Sequence, residues 1–289
     1  MSPSAARFRR TPARTDPKSG NTWMRAFLYN LIERPPRPQP LARLPEYFES
    51  EADPRWYLPL LGGRAIGDCG PEDIIPLKQA AQQAIAASRP RGSIFTKTHN
   101  RLGSWDGHPL HNLGVMAGAI YLVRNPLDVV LSVADHYGLD MDGAIEFMAD
   151  ERTATPSDDE AVTSVLGSWS GHVESWTAQE HPAICVLRYE DLLDRPLKAF
   201  TRAAKLLGLA GDKKAIRRAI EFSAFRVLKG QERQEGFVER SPTSKAFFRK
   251  GRKNQWVDEL SDEQAAQIVE RHYEQMERFG YVPPRFRRD

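Results

Sequence analysis

Three short segments carry residue types that hold anions. The first is Pro17-Lys18-Ser19-Gly20-Asn21-Thr22-Trp23, followed by a helix-like run from Met24 to Ile32. A turn of small residues entering a helix leaves several backbone N–H groups free. Those donors, the helix dipole and one lysine suit a phosphate group. The lysine precedes the glycine, so this is not a Walker A loop; an ordinary capped turn is the other reading. In the second segment, Tyr121 to Ser132, a strand ends at Arg124 and Pro126 stands in the first turn of a helix. Arg124 and Ser132 could both reach one anion, unless Arg124 only pairs with Asp128. The third, Phe248-Arg249-Lys250-Gly251-Arg252-Lys253-Asn254-Gln255-Trp256, gathers four basic residues around a glycine that permits close backbone approach. A solvated charge run is its alternative.

Taken in order with Lys97-Thr98-His99 and Tyr189-Glu190-Asp191, these segments resemble the sulfotransferases of the cytosolic, small-molecule type. The family's Pro-Lys-Ser-Gly-Thr-Thr-Trp is matched at 17–23 except for Asn21. Its Arg-Asn-x-x-Asp-Val-x-x-Ser is matched from Arg124 to Ser132, and its Arg-Lys-Gly with a following Trp at 249–251 and 256. The resemblance covers essentially all of residues 16–284 and implies sulfuryl transfer from 3′-phosphoadenosine 5′-phosphosulfate (PAPS) to a hydroxyl or amine. It assigns Lys18, Ser19, Gly20, Asn21 and Thr22 to the 5′-phosphosulfate. Arg124, Ser132, Arg249, Lys250 and Gly251 fall to the 3′-phosphate. Trp23 and Phe225 would flank the adenine, with Tyr189 and Ser223 bonding its edge.

Sulfuryl transfer needs in-line positioning and stabilisation of charge on the transferring group and the leaving oxygen. Lys18 is suited to the leaving phosphate and Lys97 to the equatorial oxygens. Ser132 joins Lys18, Lys97 and His99 as a catalytic candidate. A histidine titrates near neutrality by default, so His99 can take the acceptor's proton. The family uses no metal, and no His/Cys/carboxylate spacing in the chain demands one. Trp56, Tyr57, Leu58, Tyr137, Phe147 and Phe237 lie where the family builds its acceptor pocket, which would favour a hydrophobic alcohol or phenol. His108, His111 and His136 read as loop or cap residues, and Trp169 and Trp176 as core.

The elements that must position these groups alternate between strand and helix. Ser93–Thr96, Ala119–Val123 and Ala183–Leu187 are short, continuous apolar runs, as expected of strands buried on both faces of a parallel sheet. Trp169, Val173 and Trp176 form one helical stripe, and Leu197, Phe200, Ala204 and Leu207 another that stops at Gly208. Ser261-Asp262-Glu263-Gln264 opens the last helix with a capping-box pattern, and that helix runs to Gly280. The expected fold is α/β: a single P-loop-type domain with a central parallel β-sheet flanked by helices. One part is missing. In the family an apolar strand runs into the first loop, whereas Arg9 to Asp16 contain almost nothing apolar and so make a poor central strand.

Composition bounds the rest. The 289 residues hold 41 Lys+Arg against 38 Asp+Glu, a net charge of +3, with two cysteines. Residues 1–15 carry +4 and residues 285–289 carry +2, leaving −3 on the body, so net charge gives no support for a nucleic-acid partner. Those two stretches read as a basic disordered tail and a basic carboxy-terminal tail around a sulfotransferase domain at 16–284. Two cysteines make no disulfide framework and suit a reducing, cytoplasmic compartment. The apolar stretch Leu113–Val123 is too short for a membrane span. A catalytically impaired nucleotide-binding relative and an ATP-dependent P-loop kinase are the alternatives, and the oligomeric state is open.

Overall fold

The computed structural model describes residues 19–89 and 94–288. Its backbone contains two short parallel ladders and one hairpin. Strand β1 (Glu49–Ser50) pairs with β2 (Thr96–Lys97), placing Glu49 opposite Thr96 and Ser50 opposite Lys97. Strands β3 (Ser104–Trp105) and β4 (His108–Pro109) form the antiparallel hairpin. Strands β5 (Ala119–Val123) and β6 (Ile184–Arg188) run parallel in register from Ala119 opposite Ile184 to Val123 opposite Arg188. Among the described residues no ladder joins β1–β2 to β5–β6. The stretch before Lys18, where the family's first strand would stand, lies outside the described residues, as does Lys18 itself.

Helices fill the crossovers. They are α1 (Asn21–Glu33), α2 (Leu44–Tyr47), α3 (Pro71–Ile74), α4 (Lys78–Ala87), α5 (Pro126–Tyr137) and α6 (Met141–Ala149). The second half holds α7 (Trp169–Thr177), α8 (Tyr189–Asp194), α9 (Pro196–Leu206), α10 (Lys213–Phe222), α11 (Phe225–Glu235) and α12 (Asp262–Arg278). Caps and breakers set the ends of α12 as its sequence suggests. Ser261 and Gln264 form a reciprocal capping box, and Gly280 follows with φ +67. Ile268, Val269, His272 and Met276 are all buried along one face.

The central strands alternate, and the alternation explains the layering. Ile120, Leu122, Cys185 and Leu187 pack into a core with Phe27 and Leu31 of α1, Phe200 of α9 and Ile216 of α10. Tyr121, Val123 and Val186 face the opposite core, built on Leu127, Val130, Ile145, Val173, Ile268 and Met276. Successive side chains of a strand point to opposite faces, so helices cover both sides of the β5–β6 pair. The α/β architecture therefore holds, with two local differences from the sequence expectation. Strand β2 is Thr96–Lys97 rather than Ser93–Thr96, with Ser93 outside the described set, and β6 is shifted by one residue, Ile184–Arg188 instead of Ala183–Leu187. Strand β5 is also half-buried at Ala119–Leu122 rather than fully buried, because a cavity runs along it. None of the described helices is long and apolar enough to cross a membrane.

Candidate active site

The first anion segment enters α1 through Gly20. Its φ is +99, and a Cβ there would meet the Tyr189 ring at 2.9 Å, so glycine is required both by backbone and by space. No acidic residue stands in the first turn of α1, which leaves that helix terminus free for a negative ligand. Trp23 packs edge-on against Tyr189, with ring centroids 5.8 Å apart. Ser19 is the first residue described on this side.

The second segment is held from both ends. Asn125 caps α5, its Oδ1 accepting from Leu127 N–H at 3.0 Å. The Glu190 carboxylate accepts from Asn125 N–H at 3.1 Å and from Tyr281 O–H at 2.7 Å. That is a physical reason for the glutamate of Tyr189-Glu190-Asp191: it ties the end of β5 to the start of α8. Arg124, almost fully buried, lays its guanidinium 4.6 Å over the Tyr189 ring and stands 4.0 Å from Asp128. The Asp128 oxygens are engaged elsewhere. They accept from the backbone N–H groups of Asn254 at 2.8 Å and Trp256 at 3.1 Å. Asp128 is thus a clamp on the third segment, and pairing with Arg124 is its weaker contact.

The third segment wraps onto these two. Arg249 donates to Leu131 O at 3.3 Å and pairs with Asp135 at 3.2 Å, while Lys250 pairs with Glu259. Gly251 has φ +59, and a Cβ there would meet the Phe225 ring at 2.4 Å. The outcome is one narrow cleft of about 90 Å³ lined by Gly20, Asn21, Thr22, Trp23, Arg124, Ser132, Tyr189, Phe225, Arg249, Lys250 and Gly251. Ser223 stands apart. It is fully buried, and its hydroxyl donates to Ala219 O at 2.8 Å, closing the end of α10. Ser132 lines this cleft and not the space around His99.

Lys97, His99 and Arg124 line a second, larger cavity of about 970 Å³, which Ser19 and Asn21 border as well. Asn21 and Arg124 therefore face both spaces. The segment from Lys97 to Asn100 is fastened by Glu51, which follows β1. Glu51 accepts from Thr98 Oγ1, from Asn100 Nδ2 at 2.9 and 2.8 Å, and from Lys78 Nζ at 3.2 Å. Burial alone would raise the Glu51 pKa, but Lys78, His111 and the hydrogen bonds from Thr98 and Asn100 outweigh it and lower it to about 2. His172 holds the same segment from the other side. Its Nδ1 meets Tyr121 O–H at 3.0 Å and its Nε2 meets His99 O at 3.2 Å. Burial lowers the His172 pKa to about 4 and raises that of Tyr121. A neutral imidazole between a phenol donor and a carbonyl acceptor carries its proton on Nε2. His99 is buried as well. Burial first, then the Lys97 charge, pushes its pKa well below the ordinary histidine value, against a smaller opposing pull from Glu239.

The apolar lining of the large cavity includes Tyr121, Tyr137, Phe147, Met148, Trp169 and Trp176 near His99, and on the α1 side Leu28, Phe48 and Leu207. Tyr137 and Phe147 were expected there. Tyr57 and Phe237 are instead core residues of separate clusters, Trp56 packs beside Tyr57, and Leu58 is exposed to solvent. Trp169 and Trp176 are core residues that also face the cavity. His111 is buried against Trp176 at 5.1 Å and lines it too, His136 is buried in α5, and exposed His108 lies on β4. Sequence reasoning missed Arg25, Glu51, His172 and Glu239. Each has at least one partner far away in the chain, and no local pattern marks them. Among the described residues no three His, Cys, Asp or Glu side chains gather to hold a metal ion.

Comparison with known proteins bears on the fold and the family. A family model described as "Sulfotransferase domain" matches residues 14–280. Cytosolic sulfotransferase 16 of Arabidopsis thaliana is 24% identical over 270 residues, covering 87% of this chain and 71% of its own. Flavonol 3-sulfotransferase of Flaveria bidentis is 24% identical over 269 residues, covering 87% and 77%. Among solved structures, a retinol dehydratase in complex with androsterone and inactive cofactor PAP superimposes with a TM-score of 0.61 at 18% identity, covering 94% of this chain and 84% of that one. A mouse sulfotransferase complexed with PAP gives 0.57 at 19%, covering 90% and 81%. These likenesses establish the fold, and the family match carries the assignment: the chain belongs to the sulfotransferase family, enzymes whose sulfuryl donor is PAPS.

Proposed function

We propose that the protein transfers a sulfuryl group from PAPS to the hydroxyl of a hydrophobic alcohol or phenol, with His99 as general base. The observation that carries this reading is the junction of the two cavities: Lys97 and His99 line the large apolar one, and Asn21 and Arg124 line both. The narrow cleft suits a bisphosphorylated nucleotide. Gly20 and Gly251 stand where any side chain would strike an aromatic ring, and Arg124, Arg249 and Lys250 supply cations. PAPS, when bound, supplies an activated sulfuryl group and a phosphate leaving group.

The chain's own groups do the rest. Lys18, Ser19, Gly20, Asn21 and Thr22 bind the 5′ end of the nucleotide at the start of α1. Arg124, Ser132, Arg249, Lys250 and Gly251 bind its 3′-phosphate, and Trp23, Tyr189 and Phe225 enclose the base, with Ser223 behind them as part of the supporting helix end. Lys97 stabilises charge on the transferring oxygens. His99 is neutral at physiological pH because burial and Lys97 disfavour its cation, so it is ready to accept a proton from the acceptor hydroxyl. The aromatic lining of the large cavity orients a flat or ring-bearing acceptor. Relatives named for flavonols and neighbours complexed with androsterone or retinol support that acceptor class, and the cytosolic relatives support a cytoplasmic reaction.

The test is replacement of His99 by alanine. We expect 3′-phosphoadenosine 5′-phosphate (PAP) to bind the variant as it binds wild type, while PAPS-dependent sulfation of a test phenol falls by about 10²–10⁴-fold. Substantial turnover by the variant would reject His99 as the base. Wild-type protein that binds PAP and transfers nothing would identify a catalytically impaired relative.

A further inference from the structure

The chain between α11 and the Arg249 loop brings Glu239 to Arg25 and Lys97, two cations that line the large cavity. Its carboxylate accepts from Arg25 Nη1 at 2.8 Å and Nη2 at 2.6 Å, and stands 3.3 Å from Lys97 Nζ. Arg25 is fixed in place by Nε, which donates to Asn21 Oδ1 at 2.9 Å, and by Nη2, which donates to Thr22 Oγ1 at 3.0 Å. The guanidinium therefore lies along the first turn of α1. Arg25 and Lys97 both line the large cavity, next to Ser19 and Asn21. Arg25 is almost fully buried and the Glu239 side chain is 18% exposed. Burial opposes ionisation of Glu239, but Lys97 and Arg25 override it and hold the carboxyl well below its usual range. Among the described residues two largely desolvated cations thus share one carboxylate, which leaves their cluster a surplus positive charge.

We propose that Arg25 and Lys97 together form the subsite for the transferring sulfuryl group, and that Glu239 is an internal counter-ion occupying it until the donor arrives. This rests on the PAPS reading above and adds Arg25 and Glu239 to it. A sulfuryl group and a carboxylate present similar oxygens to a guanidinium fork and an ammonium, so one can replace the other without rebuilding the site. The exchange swaps ionic contacts and breaks no covalent bond. Only a nucleotide bearing the sulfuryl group displaces Glu239; the product, which lacks it, leaves the Arg25–Glu239 pair closed. Glu239 thereby sets how strongly the protein discriminates donor from product. A purely structural Arg25–Glu239 tie between the loop and α1 would instead affect both nucleotides alike.

Calorimetric titration of PAPS and PAP without acceptor separates the two. In Glu239→Gln we expect PAPS to bind on the order of tenfold more tightly, with PAP unchanged within about twofold. Arg25→Gln serves if the first variant folds poorly, and there PAPS should weaken on the order of tenfold while PAP holds. A Kd ratio between the two nucleotides that stays at the wild-type value in both variants overturns the proposal and leaves the donor reading intact. Wild-type protein that binds neither nucleotide overturns both.

Discussion

The two cavities of this enzyme meet at Asn21 and Arg124, yet they are made in different ways. The narrow cleft of about 90 Å³ is built around two contiguous stretches, residues 20–23 and 247–251, joined by single residues such as Arg124, Ser132, Tyr189 and Phe225. Glycines with positive φ bring backbone close to the ligand space, and a carboxylate clamp, Asp128, holds the last loop in place. The cavity of about 970 Å³ draws on more of the fold: residues 94–100, 115–124 and 166–169 line it, together with side chains of α1, α4, α5, α6 and α7. A cation-rich, backbone-lined site needs particular residues at particular spacings, whereas an apolar wall needs only bulk.

That contrast can be broken by exchanging the effects of substitutions in the two cavities. Gly251→Ala is expected to have the larger consequence. Its φ of +59 and the 2.4 Å approach to Phe225 force strain into the loop, about 1–3 kcal/mol, which should weaken PAP by about ten- to a hundredfold. Its companion, Phe147→Ala, should raise the KM for a phenolic acceptor by about tenfold and leave the PAP Kd unchanged. Calorimetry on one and initial rates on the other read the two effects separately. A variant of Phe147 that lost nucleotide affinity would show the cavities to be one functional unit.

A smaller effect concerns His99 alone. Burial and the neighbouring Lys97 cation both penalise the imidazolium, so lowering the pH through 6.5, the ordinary histidine value, should leave His99 neutral. Its protonation should come only at more acidic pH. Imidazole NMR of the nucleotide-free protein, assigned with the His99→Gln variant, checks this. A midpoint at or above the ordinary value would mean that His99 is not enclosed in the free protein.

How much of this was legible in the sequence follows the same division. Ala119–Val123 is legible with the bounds the structure has, and Asn125-Pro126 marks the start of a helix because both act locally, through a side-chain cap and a fixed φ. The cleft residues are legible because motif spacing encodes loop geometry; Ser19 borders only the large cavity, Lys18 is outside the described residues, and Ser223 lies outside the cleft, its hydroxyl satisfied within α10. Around the large cavity, Trp56, Tyr57, Leu58 and Phe237 were expected and Trp169, Trp176 and Met148 were found. Apolar residues look alike in sequence whether they fill a core or line a cavity. Glu51, His172 and Glu239 were invisible for another reason. Glu51 reaches Lys78, His172 reaches Tyr121 and Glu239 reaches Arg25, and only the fold brings those partners together.

The most direct measurement is a crystal structure of the protein with PAP and a phenolic acceptor bound together. We expect the nucleotide in the cleft between Trp23 and Phe225, with its 3′-phosphate on Arg124 and Arg249. The acceptor should lie in the aromatic cavity with its hydroxyl oxygen about 2.6–3.2 Å from the His99 imidazole. A nucleotide lodged in the large cavity, or an acceptor hydroxyl beyond reach of His99, would contradict the division of labour between the two sites.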